Sequence, residues 1–89
     1  MYTFRYDKEK NIHLLATRGV GFDDMIEAIS SGDGLIDILD HPSENYLHQK
    51  IFIVFWNGYF YGIPCVPEWD DQFFMKTIIP NRKYKKHYS

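Results

Sequence analysis

The residues of this chain best suited to chemistry fall in one run, Lys76-Thr77-Ile78-Ile79-Pro80-Asn81-Arg82-Lys83-Tyr84-Lys85-Lys86-His87-Tyr88-Ser89. It holds five of the ten Lys and Arg residues and none of the twelve Asp and Glu. Residues 1–75 therefore set five bases against twelve acids, and a body of −7 carries an end of +5 beneath a net charge of −2. Segregated positive charge suits phosphate or an acidic protein surface, because Lys and Arg release counterions when they meet phosphates. A solvated tail that keeps a small protein soluble is the plainer alternative.

Cleavage of RNA without a metal needs a 2′-hydroxyl aligned on phosphorus and a group to take its proton. It also needs a group to protonate the leaving oxygen, and positive charge on the pentacoordinate phosphate. For the charge, Lys76, Arg82, Lys83 and Lys86 are candidates, with Arg82 first because its planar fork binds phosphate oxygens in pairs. Lys50 joins them if its strand neighbours the last one. Lys83, Tyr84, Lys85 and Lys86 form an RNA-binding run of cations around an aromatic ring. For proton transfer the candidates are His87, His48 and His41, since histidine titrates near neutrality unaided; His13, on a helix, is less suited. Asn81 fits the cap of a last short helix with Tyr84 and Tyr88 on one stripe, which sets Arg82 and Lys83 at its positive end. Cations are locally unfavourable there, and such a placement points to an anionic ligand.

Other chemistry finds little footing. Cys65 has no nucleophile signature, Gly32-Asp33-Gly34 reads as a turn and not a phosphate loop, and the scattered histidines lack zinc-site spacing. No cofactor and no metal are implied. A single cysteine excludes an internal disulfide and suits a reducing compartment. No apolar run approaches a membrane span, and the polar first residues do not read as a signal peptide, so the expectation is a cytoplasmic protein with no membrane partner.

Eighty-nine residues make one domain, 1–89, and an apolar content of 45% with seven Phe, seven Tyr and two Trp is too rich for disorder. Tyr2-Thr3-Phe4-Arg5-Tyr6 alternates as a strand does. Asp7 offers an N-cap to a helix over Lys8 to Arg18, with Ile12, Leu15 and Ala16 at helical spacing and Gly19 to close it. Phe22, Met25, Ile26 and Ile29 mark a second helix ending near Gly32, its stripe facing a core. Strands follow at Leu35 to Leu39 and Lys50 to Trp56. Asn57-Gly58 is the sequence of a two-residue type I′ hairpin, pairing Trp56 with Tyr59, Phe55 with Phe60 and Val54 with Tyr61. Alternation then sets Phe52, Val54, Trp56, Tyr59 and Tyr61 on one face and Ile51, Ile53, Phe55 and Phe60 on the other. One face packs on the helices; the other wraps a curved sheet or offers an aromatic surface to a partner or to stacked bases. Pro64 and Pro67 point to a bulge or an edge. Glu68-Trp69-Asp70-Asp71 is a turn before a last strand from Gln72 to Ile79. The fold class is α+β: an N-terminal strand, two helices, then an antiparallel sheet of three to four strands with the helices on one face and a short basic C-terminal segment.

This order and its local motifs resemble the BrnT-type toxins of bacterial toxin–antitoxin systems, relatives of the RelE/ParE ribonuclease-like fold. The resemblance spans almost the whole chain. Phe4-Arg5-Tyr6-Asp7 with Lys10 and Asn11 is similar to the family's opening aromatic-Asp and Lys/Asn pattern. Arg18-Gly19-Val20-Gly21-Phe22 resembles its basic-Gly-Val-Ser-Phe junction between helices, and Lys76 to Arg82 its final strand leading into an arginine. The resemblance implies a RelE-like fold and an endoribonuclease neutralised by a cognate antitoxin, often one with a DNA-binding domain. Two departures stand out. Gln49-Lys50-Ile51 replaces the family's acidic-Arg-Phe entry to the hairpin, removing a carboxylate, and Lys83, Lys85 and Lys86 stand where further arginines and a glutamate are common. Two other readings remain open: a non-catalytic protein-binding module of the same fold, and a non-specific nucleic-acid binder with steep salt dependence.

Overall fold

The computed structural model describes residues 2–46 and 48–83, and the candidates Tyr84, Lys85, Lys86 and His87 lie outside the described residues. Strand β1 (Thr3–Arg5) leads into helices α1 (Lys8–Arg18) and α2 (Phe22–Ser30). Strands β2 (Leu35–Asp40), β3 (Lys50–Trp56), β4 (Tyr59–Trp69), β5 (Gln72–Met75) and β6 (Ile79–Pro80) follow. The fold is α+β.

The helices form where their caps allow. The Asp7 carboxylate accepts from the Glu9 N–H at 2.9 Å, and Gly19 closes α1 by donating to the Leu15 carbonyl. The cap of α2 comes from another helix: the Asn11 Oδ1 on α1 accepts from the Phe22 N–H at 2.7 Å, while Asp24 accepts from the Gly21 N–H. Phe22, Met25, Ala28 and Ile29 bury the face of α2 against the sheet, as their spacing predicts. In α1 the outcome differs. Leu14 is its buried residue, and Ile12, Leu15 and Ala16 point outward, with Ile12 65% exposed. Leu14, Asn11 and Arg18 share the inward side of the helix, so two polar anchors occupy turns that a wider apolar stripe would otherwise fill.

The sheet runs in the order β1-β5-β4-β3-β2, with β6 also on β4. The hairpin has the expected register, Trp56 with Tyr59, Phe55 with Phe60 and Val54 with Tyr61. Asn57 and Gly58 both take positive φ, 50° and 84°, as a type I′ turn requires. Phe52, Val54, Tyr61, Ile63, Cys65 and Met75 meet the helices in one core, while Ile51, Ile53, Phe55 and Phe60 lie on the opposite face.

Three expectations about the sheet are corrected. It has six strands and not three or four, and it is mixed because β1 pairs in parallel with β5 through Thr3–Gln72, Phe4–Phe73 and Arg5–Phe74. The ring of Phe4 lies 5.4 Å from Phe52 and 6.3 Å from Phe73, a packing preference invisible in local sequence. The expected last strand, Gln72 to Ile79, is broken at Lys76–Ile78 into β5 and β6, both paired with β4. The break sits beside Pro64, which has no N–H to offer a neighbour and bonds there only by accepting the Lys76 N–H at 2.8 Å. Freed from the ladder, Ile78 turns fully into the core. Pro67 marks a bulge, since the β4–β5 register shifts between Pro67 and Trp69.

Candidate functional site

Pairing along β4 sets the positions of the basic residues. Asn81 donates its N–H to the Phe60 carbonyl at 3.1 Å, continuing the β6 ladder one step past Pro80, and Lys76 is bonded to Pro64. Those two β4 anchors are four residues apart, roughly 13 Å of strand. Lys76 lies on the face away from the helices, its ammonium 5.7 Å from the centre of the Phe74 ring. Immediately after Asn81 the chain turns helical at Arg82 and Lys83, both exposed, and the Asn81 Oδ1 accepts the Lys83 N–H at 2.8 Å. The cap read from sequence is present as this bond. Among the described residues no carboxylate forms an ion pair with Lys76, Arg82 or Lys83. Lys76, Arg82 and Lys83 thus share the β4 flank occupied by β5 and β6.

Lys50 does not join them. Its strand β3 lies between β2 and β4, away from β5 and β6. Alternation with buried Phe52 directs Lys50 to the helix-bearing face, opposite to Lys76, and its ammonium pairs with Asp40 directly across on β2. His41 and His48 lie in the loop joining those two strands. The Ser43 N–H donates to His41 Nδ1 at 3.1 Å, and the His41 N–H donates to the Gln49 carbonyl. This end of the sheet, where Lys50 pairs with Cys65, is five β4 residues from the Phe60–Asn81 bond, roughly 17 Å. His13 is exposed on α1.

Arg5 was not among the candidates from sequence, yet it lies on the same face as Lys76, 5.3 Å from the Phe74 ring. Its charge is already matched. Its Nε and Nη2 donate to Glu68, at 2.9 and 2.6 Å, and Gln72 donates to the same carboxylate at 2.9 Å. The Arg5 and Gln72 hydrogen bonds hold the Glu68 carboxyl down to about 2, and Glu68 in turn pushes Arg5 up. The cluster fastens β1 to β4 and adds no net charge for a ligand. Cys65 is fully buried and donates to the Ile63 carbonyl; burial pushes its thiol up, away from the thiolate a nucleophile needs.

A shallow cleft lined by Thr3, Trp69, Asp70, Asp71 and Gln72 opens at the β4–β5 turn. Its two carboxylates make it a poor seat for phosphate, and it lies at the end of β4 remote from Arg82. Among the described residues no group of three or more His, Cys, Asp or Glu is placed to hold a metal ion, and no helix is long and apolar enough to cross a membrane.

Comparison of the chain with protein-family models, with curated proteins and with solved structures finds no match.

Proposed function

We propose that this chain is a toxin of the BrnT type, a metal-independent endoribonuclease held inactive by a cognate antitoxin that covers its basic end. One observation carries the reading: Lys76, Arg82 and Lys83 are gathered on one flank of β4 with no carboxylate paired to them among the described residues. Cations flanking the two-residue strand β6, with no carboxylate partner among the described residues, suit a phosphate that gains charge during cleavage. Arg82 binds and stabilises that phosphate through its fork, and Lys83 and Lys76 hold the backbone on either side. His41 and His48 stand at the far end of the sheet, so the proton carrier in this proposal is His87, five residues past Arg82 in sequence.

The other reading, a non-catalytic protein-binding module of the same fold, is favoured by that distance between the loop of both histidines and the Asn81–Arg82 end of the basic flank. One experiment separates the two. The pure chain is incubated with labelled mixed-sequence RNA and chelator, and with translating ribosomes in a second arm, beside Arg82→Ala/Lys83→Ala. A ribonuclease cleaves in at least one arm and the variant does not, at unchanged melting temperature. Intact RNA in both arms would discard catalysis in favour of the binding module.

A further inference from the structure

The hairpin and the basic strip were read from sequence as separate features, yet β6 brings them together. Tyr61 pairs with Pro80, Gly62 with Ile79, and Phe60 accepts the Asn81 N–H. The next step along this antiparallel ladder sets Tyr59, the first residue of β4, beside the point where Arg82 and Lys83 leave the sheet. Neighbouring strands lie about 5 Å apart, so the chain that carries both charged side chains leaves the sheet next to the backbone of Tyr59. Tyr59 is 64% exposed and none of the ring contacts among the described residues involves it. Its cross-strand partner Trp56 is instead half-buried beside Tyr61, with ring centres 6.3 Å apart.

A large ring left in water costs solvation that a core position would recover, and pairing with Trp56 alone gives no reason for placing it beside two cations that have no ion-pair partner among the described residues. Base and phosphate do. We infer that Tyr59 is the stacking residue for an unpaired RNA base whose adjoining phosphate is held by Arg82 and Lys83. This rests on the ribonuclease reading and narrows its substrate. A base can reach the hairpin tip only when unstacked, so the site takes single-stranded RNA and rejects duplex. An acidic peptide would satisfy Arg82 and Lys83 equally well but has no need of a π face, and that difference makes the inference testable.

The probe is a fluorescent single-stranded RNA eight-mer with 2′-O-methyl groups, which cannot be cleaved, so binding is measured apart from catalysis. It is compared with the same strand in a duplex and with a fully abasic strand of the same length. Stacking on one ring contributes about 1–3 kcal/mol per base, so Tyr59→Leu should weaken single-strand binding about tenfold. Tyr59→Phe and Tyr59→Trp should restore it, and the salt dependence should stay as in the native chain. The abasic strand should bind the native chain as weakly as the full strand binds Tyr59→Leu. Equal affinity of native and Tyr59→Leu for the eight-mer, equal affinity for abasic and full strands, or no binding at all would overturn the stacking role. Cleavage that survives in Tyr59→Leu while the eight-mer binds unchanged would sink this inference and leave the ribonuclease standing. Stacking with no cleavage in any arm would do the reverse.

Discussion

Arg18 at the end of α1 donates from Nη1 to the carbonyl of Ile78 at 2.7 Å, sixty residues on, at the break between β5 and β6. The bond ties the helix layer to the segment that delivers Asn81 and Arg82. It also satisfies a carbonyl that left the sheet ladder when Ile78 turned inward. A partly buried hydrogen bond to a charged donor contributes about 1.5–3 kcal/mol. Arg18→Ala should therefore lower unfolding stability in urea by about 2 kcal/mol. Because β6 has only two residues, Arg18→Ala should also speed amide exchange at Ile79 and Asn81 more than in β3. A uniform change in exchange would show that the bond does not position the strip.

Asn11 illustrates the same economy on the same helix. Its side chain caps α2 from α1, so the loss in Asn11→Ala is that of an N-cap, about 1 kcal/mol. Asn11→Asp should retain most of the stability, since a carboxylate also accepts from Phe22 and favours a helix N-terminus. The check is thermal unfolding of both variants. Gly34 supplies a harsher test nearby. A Cβ there would lie 2.6 Å from the Ala28 carbonyl oxygen, which is backbone and cannot rotate away, so Gly34→Ala should cost about 1–3 kcal/mol.

These two residues also show what the sequence could and could not reveal. Local chemistry was legible: Asp7 and Gly19 bounded α1 to the residue, and Asn57-Gly58 determined the hairpin register. Bonds between distant elements were not. Nothing near Arg18 or Asn11 announces Ile78 or Phe22 as a partner, and the helical spacing of Ile12, Leu15 and Ala16 marked a helix without showing that Leu14 is its buried residue. The strand break and the parallel β1 were hidden for the same reason, since each depends on what Pro64 and Phe4 meet across the sheet. For the site, the cluster of charge was visible in composition. That Lys50 and Lys76 emerge on opposite faces, and that Tyr59 stands beside Arg82, required the order of strands.

The Arg5–Glu68–Gln72 cluster predicts a pH dependence of stability. The folded Glu68 carboxyl is held at about 2, below the ordinary carboxylate range of the unfolded chain. Its contribution is therefore complete above that ordinary range and is lost as pH falls toward about 2. Glu68→Gln should melt lower than native at pH 7, and the two curves should converge as pH approaches 2. High salt should narrow the gap at pH 7, because Arg5 is well exposed and the pair is screened. A gap that persists unchanged at pH 2 would mean that Glu68 acts through packing and not through its charge.

Lys50 and Lys76 offer the sharpest contrast, because Lys50 lies in β3, two strands from β6, whereas Lys76 lies at the β5–β6 break on the flank that leads to Arg82. Lys76 has no ion-pair partner among the described residues and flanks the path to Arg82, whereas Lys50 is paired with Asp40 on the helix-bearing face. For single-stranded nucleic acid, each phosphate contact adds about 0.7 to the slope of log affinity against log salt. Lys76→Ala should lower that slope by about this amount and weaken binding to every sequence alike. Lys50→Ala should leave affinity and slope unchanged and show only the small stability loss of a broken surface pair, about 0–1 kcal/mol. Equal losses of RNA affinity from both variants would place the substrate at the β2–β3 end of the sheet, near His41 and His48. The proton carrier would then have to be sought in that loop instead of beyond Arg82.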